Sequence, residues 1–176
     1  MSRLETPHLV LGGARSGKST YAEALVMSMA PPHRYVATAQ ILDEEMARRV
    51  REHRERRGTM WRTIECPVHL ADTLLALDQE PAPILVDCLT LWYSNLLLSL
   101  EDHAVKAHIS SVCDVLHSAR SPMLLVSNEV GCGIVPNNAL ARSYRDLAGW
   151  ANQRVAAACR AVTYVIAGIP VLLKPR

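Results

Sequence analysis

The residues best suited to chemistry lie near the start of the chain. Gly12-Gly13-Ala14-Arg15-Ser16-Gly17-Lys18-Ser19 matches the spacing G-x-x-x-x-G-K-[ST] in full, the pattern of a loop that cradles phosphates. Its glycines permit a turn tight enough for backbone N–H groups to point inward at phosphate oxygens. The dipole of a following helix adds positive potential. In that geometry Lys18 reaches the β- and γ-phosphates of a triphosphate and the Ser19 hydroxyl holds Mg²⁺. Such sites also use a carboxylate at the end of a second strand to orient the metal, directly or through water. Asp87, after Ile84-Leu85-Val86, is the natural candidate. Its alternative role is to cap a helix starting near Leu89, because aspartate caps well.

A second constellation is basic. Arg48, Arg49, Arg51, Arg54, Arg56, Arg57 and Arg62 crowd one short stretch, which suits a phosphate-rich ligand. Within it Arg49, His53 and Arg57 are spaced i, i+4, i+8 and would share one helix face, with Met46 and Val50 on a neighbouring stripe that could pack on a core. Like charge on either side biases His53 towards its neutral form. Neutral imidazole is a nucleophile, and the arginines would attract and brace phosphates. The chemistry this permits is attack by His53 on a nucleotide α-phosphate, with covalent carriage of the nucleotidyl group. The competing reading is an inert histidine on a solvated charged face.

These groups need a scaffold, and the apolar pattern describes one. Strand-like runs occur at 9–11, 34–38, 84–87, 123–127 and 162–167, with a weaker one at 62–64. A short final strand is expected at 171–173, after a Gly168-Ile169-Pro170 turn. Helical patterns fill the gaps at 18–29, 43–57, 70–77, 91–100, 102–119 and 138–158. Apolar strands without alternation, separated by helices, predict a mainly parallel sheet covered on both faces, an α/β fold. The pattern at 43–57 has Asp43 as a cap, Glu44 and Glu45 in its first turn, arginines towards its end and Gly58 just past it, the order that helix ends favour. No linker, repeat or low-complexity segment interrupts residues 1–176, so one domain is expected.

Composition narrows the class. The chain has 176 residues, 49% apolar and 20% charged, with a net charge of +2. That is enough chain for a full core, and too little charge for bulk binding to nucleic acid. The five cysteines, Cys66, Cys88, Cys113, Cys132 and Cys159, contain no C-x-x-C pair and read as free thiols. The first eight residues carry Glu5 and Pro7 and do not read as a signal peptide. No apolar run approaches the ~20 residues of a membrane span. A soluble, cytoplasmic protein is expected.

The chain resembles the bifunctional adenosylcobinamide kinase / adenosylcobinamide-phosphate guanylyltransferase family along almost its whole length. The matching blocks are Gly12 to Ser19, Tyr35-Val36-Ala37-Thr38-Ala39, Leu42-Asp43-Glu44-Glu45-Met46 with Arg49 and His53, and Trp61-Arg62-Thr63-Ile64-Glu65. They continue with Val86-Asp87-Cys88-Leu89-Thr90, Asn128-Glu129-Val130-Gly131-Cys132-Gly133-Ile134-Val135-Pro136, and Arg142 to Arg154. Many families share the phosphate loop. The block from Asn128 to Pro136 and the Met46, Arg49, His53 spacing are more specific.

The resemblance implies a RecA-like P-loop fold, a homotrimer and two reactions. A nucleoside triphosphate, ATP or GTP, phosphorylates adenosylcobinamide. The phosphorylated corrinoid then takes GMP from GTP to give adenosylcobinamide-GDP. The family carries GMP on a histidine, which matches His53. Its guanine-nucleotide contacts fall on the phosphate loop, on Ala37, Thr38 and Ala39, on Arg54, Glu55, Arg56 and Arg57, on Glu65 and on Asp87.

The residue types suit these roles. Thr38 offers a hydroxyl and backbone groups, and Glu65 could accept hydrogen bonds from ribose or from the guanine edge. Asn128 and Glu129 should lie at the carboxyl edge of the sheet, where open α/β folds bind ligands, and Gly131 and Gly133 permit an unusual loop path there. Two alternatives remain. A plain P-loop kinase needs no covalent histidine. A nucleotide-switched module acting on nucleic acid would need a basic, aromatic surface, and this chain has no phenylalanine.

Overall fold

The computed structural model describes residues 4–40, 44, 48 and 60–174. Among them the elements run β1 (His8–Gly12), α1 (Lys18–Met27), β2 (His33–Ala37), β3 (Trp61–Glu65), α2 (Leu70–Leu77), β4 (Ile84–Asp87), α3 (Leu89–Ser99), α4 (Asp102–Ser118), β5 (Met123–Asn128), α5 (Ala139–Ala158), β6 (Ala161–Ile166) and β7 (Ile169–Lys174). The helix expected over 43–57 lies outside the described residues except for Glu44 and Arg48, which are helical and exposed.

The strands form one sheet in the order β3-β2-β4-β5-β1-β6-β7. Every neighbouring pair is parallel except β6 with β7. This is the mainly parallel, helix-flanked sheet expected of a RecA-like P-loop fold. Parallel strands must be covered on both faces, and side chains that alternate along each strand build two cores. Leu9, Leu11, Val36, Ile84, Val86, Met123 and Leu125 face one way, onto Leu70, Leu74, Trp92, Leu96, Ile109 and Val155 of helices α2 to α5. Val10, Tyr35, Leu85, Leu124 and Val126 face the other way, onto Ala22 and Val26 of α1. Each fully buried leucine or isoleucine contributes roughly 1.5–3 kcal/mol.

Polar ties set the ends of these elements. Asn138 caps α5, its side chain accepting from the Ala141 N–H at 2.7 Å. The Lys174 ammonium closes the other end of α5 by donating to the carbonyls of Ala156, Ala157 and Cys159 at 2.9, 3.1 and 2.6 Å, where the helix dipole favours a cation.

Two expectations are corrected. Helix α3 starts at Leu89, earlier than the apolar pattern implied, and its N-cap is Cys88 with no side-chain cap bond, so Asp87 does not cap it. The final turn is Ala167-Gly168, with φ of 52° and 81°. That is the mirror-image geometry of a two-residue hairpin, so Ile169 and Pro170 already belong to β7 and pair with Ile166 and Val165. Proline is tolerated there because β7 is an edge strand. Gly131 and Gly133 adopt no left-handed φ; among the described residues positive φ occurs at Arg15, Gly17, Ala167 and Gly168.

Candidate active site at the carboxyl edge of the sheet

Strand β1 ends in the phosphate loop, and α1 begins at Lys18. Two glycines have a steric reason to be there. A Cβ on Gly12 would sit 2.6 Å from the Val165 carbonyl oxygen and 2.5 Å from Ser16 Oγ. Gly17, the N-cap of α1, has a φ of 93°, and a Cβ there would press within 3.3 Å of Gly168. The β6–β7 turn braces the loop from outside, through the Gly168 N–H donating to the Ser16 carbonyl at 2.8 Å. Ala14 and Arg15 are exposed, Gly13, Ser16 and Ser19 half-buried.

Lys18 is 8% exposed and its ammonium donates to the Gly13 carbonyl at 3.1 Å. Burial pulls its pKa below the ordinary lysine value, and Cys88 and Asp87 nearby oppose that shift. The fold therefore brings the motif lysine and the candidate carboxylate within electrostatic reach across 69 residues of sequence. The Ser16 hydroxyl oxygen is buried with no hydrogen-bond partner among the described residues, an arrangement that a phosphate oxygen would complete.

Strand register lines up the remaining candidates. Glu65 pairs with Ala37, Ala37 with Asp87, and Gly12 with Asn128, so all lie at the carboxyl edge. Asp87 is half-buried and its Oδ2 accepts from the Tyr35 hydroxyl at 3.1 Å. Glu65 is exposed, and Ala37 and Ala39 are half-buried. Thr38 is fully buried, and its hydroxyl is engaged with the backbone. It donates to the Cys88 carbonyl at 2.7 Å and accepts from the Cys88 N–H at 2.9 Å. Thr38 thus ties the end of β2 to the end of β4, which carries Asp87. The hard oxygens of Ser19 and Asp87 suit Mg²⁺.

His53, Arg54, Glu55, Arg56 and Arg57 lie outside the described residues. Several groups that the sequence reading missed are buried supports. Asn95, on α3, donates to the carbonyls of Thr38 and Pro67 at 2.8 and 2.9 Å, fixing the chain just past β2 and β3. Its one sequence signal is an amide inside an otherwise apolar helix. Thr90 Oγ1 accepts the backbone N–H of Asn128 at 3.1 Å and lies 3.0 Å from the end of its side-chain amide. Asn152, on α5, donates to the Asn128 carbonyl at 3.0 Å. Cys88 is buried, and burial raises its thiol pKa, which fits a packing role.

The comparisons with known proteins agree on one family. The model of CobU, cobinamide kinase / cobinamide phosphate guanyltransferase, matches residues 8–173. The chain is 46% identical over 166 residues to the bifunctional adenosylcobalamin biosynthesis protein CobP of Pseudomonas aeruginosa, covering 94% of this chain and 96% of that one. It is 45% identical over 180 residues to the bifunctional CobU of Salmonella typhimurium, covering 94% and 98%. The fold alone is shared with a solved Pyrococcus horikoshii protein at a TM-score of 0.52 and 10% identity, over 97% of this chain and 86% of that one. With a phosphate loop seated as its spacing requires and a match along nearly the whole chain, the protein belongs to the cobinamide kinase / cobinamide phosphate guanyltransferase family.

Proposed function

We propose that the chain performs both reactions of its family from the cradle at the carboxyl edge. In the first, the aminopropanol hydroxyl of adenosylcobinamide attacks the γ-phosphorus of ATP or GTP, the nucleoside diphosphate leaves, and the hydroxyl loses its proton. In the second, GMP passes from GTP to adenosylcobinamide phosphate, pyrophosphate leaves, and adenosylcobinamide-GDP results. The observation that carries this reading is the cradle itself. Lys18 is nearly buried within electrostatic reach of Asp87, and Ser16 Oγ is buried without a partner among the described residues.

Loop N–H groups from Gly12 to Ser19 and the Lys18 ammonium would hold the phosphates, and Ser19 and Asp87 would hold Mg²⁺. The ion supplies Lewis-acid polarisation of phosphate oxygens. His53 is the covalent carrier of GMP in this reading, with Arg54, Glu55, Arg56 and Arg57 around the nucleotide. Glu65, Ala37 and Ala39 line its approach, and Thr38 shapes it through backbone. One domain over residues 1–176 suffices for these roles. The chain acts in the cytoplasm, where the triphosphates it consumes are made, and it assembles as a homotrimer. The exposed apolar strand β7, with Ile169, Val171, Leu172 and Leu173 between 43% and 66% exposed, is the face we assign to contacts between copies.

The test is a product assay with adenosylcobinamide, Mg²⁺, ATP and GTP, read by chromatography and mass spectrometry. The phosphorylated corrinoid should appear first and its GDP adduct second. Lys18→Ala should slow both by ~10²–10³-fold, the loss typical of one preorganised charge-stabilising donor. Phosphorylation with no GDP adduct would reduce the protein to a plain kinase. Neither product from wild type would refute the reading.

A further inference from the structure

Asn128 closes β5 in register with Gly12, the residue that opens the phosphate loop. The next N–H, of Glu129, donates to the Gly12 carbonyl at 3.1 Å, so the backbone is fixed there. The side chain is fixed as well. Its Nδ2 lies 3.0 Å from Thr90 Oγ1, while its Oδ1 is buried with no partner among the described residues. A buried amide end left unpaired costs about 1–3 kcal/mol, and no described residue supplies its partner.

The chemistry of Thr90 says which end that is. Its oxygen already accepts from the Asn128 backbone N–H at 3.1 Å, and its hydroxyl proton faces Cys88 Sγ at 3.3 Å, a weak acceptor. Turned over, the Asn128 amide offers Oδ1 to that proton, a better acceptor than sulfur, and leaves its NH₂ as the unpaired end. A free donor beside a phosphate loop meets the oxygens that need donors.

Around it stands a buried frame. Asn152 donates to the Asn128 carbonyl at 3.0 Å, Ser127 donates to Asn152 Oδ1 at 2.8 Å, and Tyr144 donates to the Thr90 carbonyl at 2.9 Å. Thr90, Ser127 and Asn152 are 4%, 0% and 6% exposed. Polar groups this deep hold a geometry when all are satisfied.

We infer that Asn128 is a further catalytic residue, its amide donating to the terminal phosphate of the bound triphosphate as that group is transferred. In the kinase step the acceptor oxygen bonds to the γ-phosphorus as the bond to the β–γ bridging oxygen breaks, and the acceptor's proton goes to solvent. Asn128 stabilises the charge on the equatorial oxygens. The inference rests on the reading of this cradle as a triphosphate site.

The test uses the full chain with Asn128→Ala. Kinase kcat and KM are measured with ATP and adenosylcobinamide. Dissociation constants are measured for a non-hydrolysable ATP analogue and for ADP, with thermal unfolding as a check on folding. The expected result is a kcat about 10²-fold lower and a triphosphate-over-diphosphate preference at least about fivefold smaller, with ADP affinity held within about threefold. Asn128→Ser, which keeps a hydroxyl near Thr90 but lacks the reach, should behave the same way and decides the matter if the alanine variant does not fold. Equal weakening of both nucleotides, or a folded variant whose kcat stays within about threefold of wild type, would overturn the proposal. Wild type that binds neither nucleotide would overturn the triphosphate reading beneath it.

Discussion

Asp78 shows how one side chain can fasten two elements far from the chemistry. Its carboxylate follows α2 and accepts from the backbone N–H of Ser121 at 2.7 Å and of Arg120 at 3.2 Å, just before β5. Burial raises its pKa, but those N–H groups outweigh burial and hold it below the 3.8 of a free aspartate. A depressed carboxyl stabilises the fold above its unfolded pKa and loses that effect as pH falls through the folded one. Asp78→Asn should therefore cost about 1–3 kcal/mol at pH 7, and the difference from wild type should shrink below pH 3.8. Urea unfolding at several pH values checks this, and a pH-independent difference would contradict it. Residues differ in how far sequence reveals them. The phosphate loop was legible because its eight residues are contiguous. Tyr35, Thr90 and Asn95 were not, because their roles depend on partners 52, 38 and 57 residues away.

At the scale of elements, the β6–β7 hairpin has two jobs. Its turn braces the phosphate loop through Gly168, and its outer strand ends in Lys174, which closes α5. The strand pattern was readable because buried parallel strands are continuously apolar. The last strand was read too short because Pro170 resembles a breaker, whereas on an edge its missing N–H costs nothing. That edge leaves Ile169, Val171, Leu172 and Leu173 exposed in a single chain, a row that invites pairing or cover. Sedimentation should give about three times the 19.4 kDa of one chain. A charge inserted by Leu172→Lys should shift the mass towards that of one chain while the far-ultraviolet spectrum stays unchanged. Wild type sedimenting as a single chain would remove the homotrimer from the account.

For the whole molecule, strand order converts distant sequence blocks into one edge. The ends of β1, β2, β3, β4 and β5 bring Gly12, Ala37, Glu65, Asp87 and Asn128 to the same side, with Lys18 and Asp87 close enough to influence each other. Such an edge is where open α/β sheets bind ligands. We assign one transfer, of a phosphoryl group, to that edge. The second needs a nucleophile for the α-phosphate, and His53 with its neighbouring arginines, outside the described residues, is the group we propose for it. That claim is tested most directly by incubating the protein with Mg²⁺ and GTP labelled on the α-phosphate, beside His53→Ala. The account predicts an acid-labile, alkali-stable label on wild type and none on the variant. Label on both proteins, or on neither while phosphorylation of adenosylcobinamide proceeds, would contradict it.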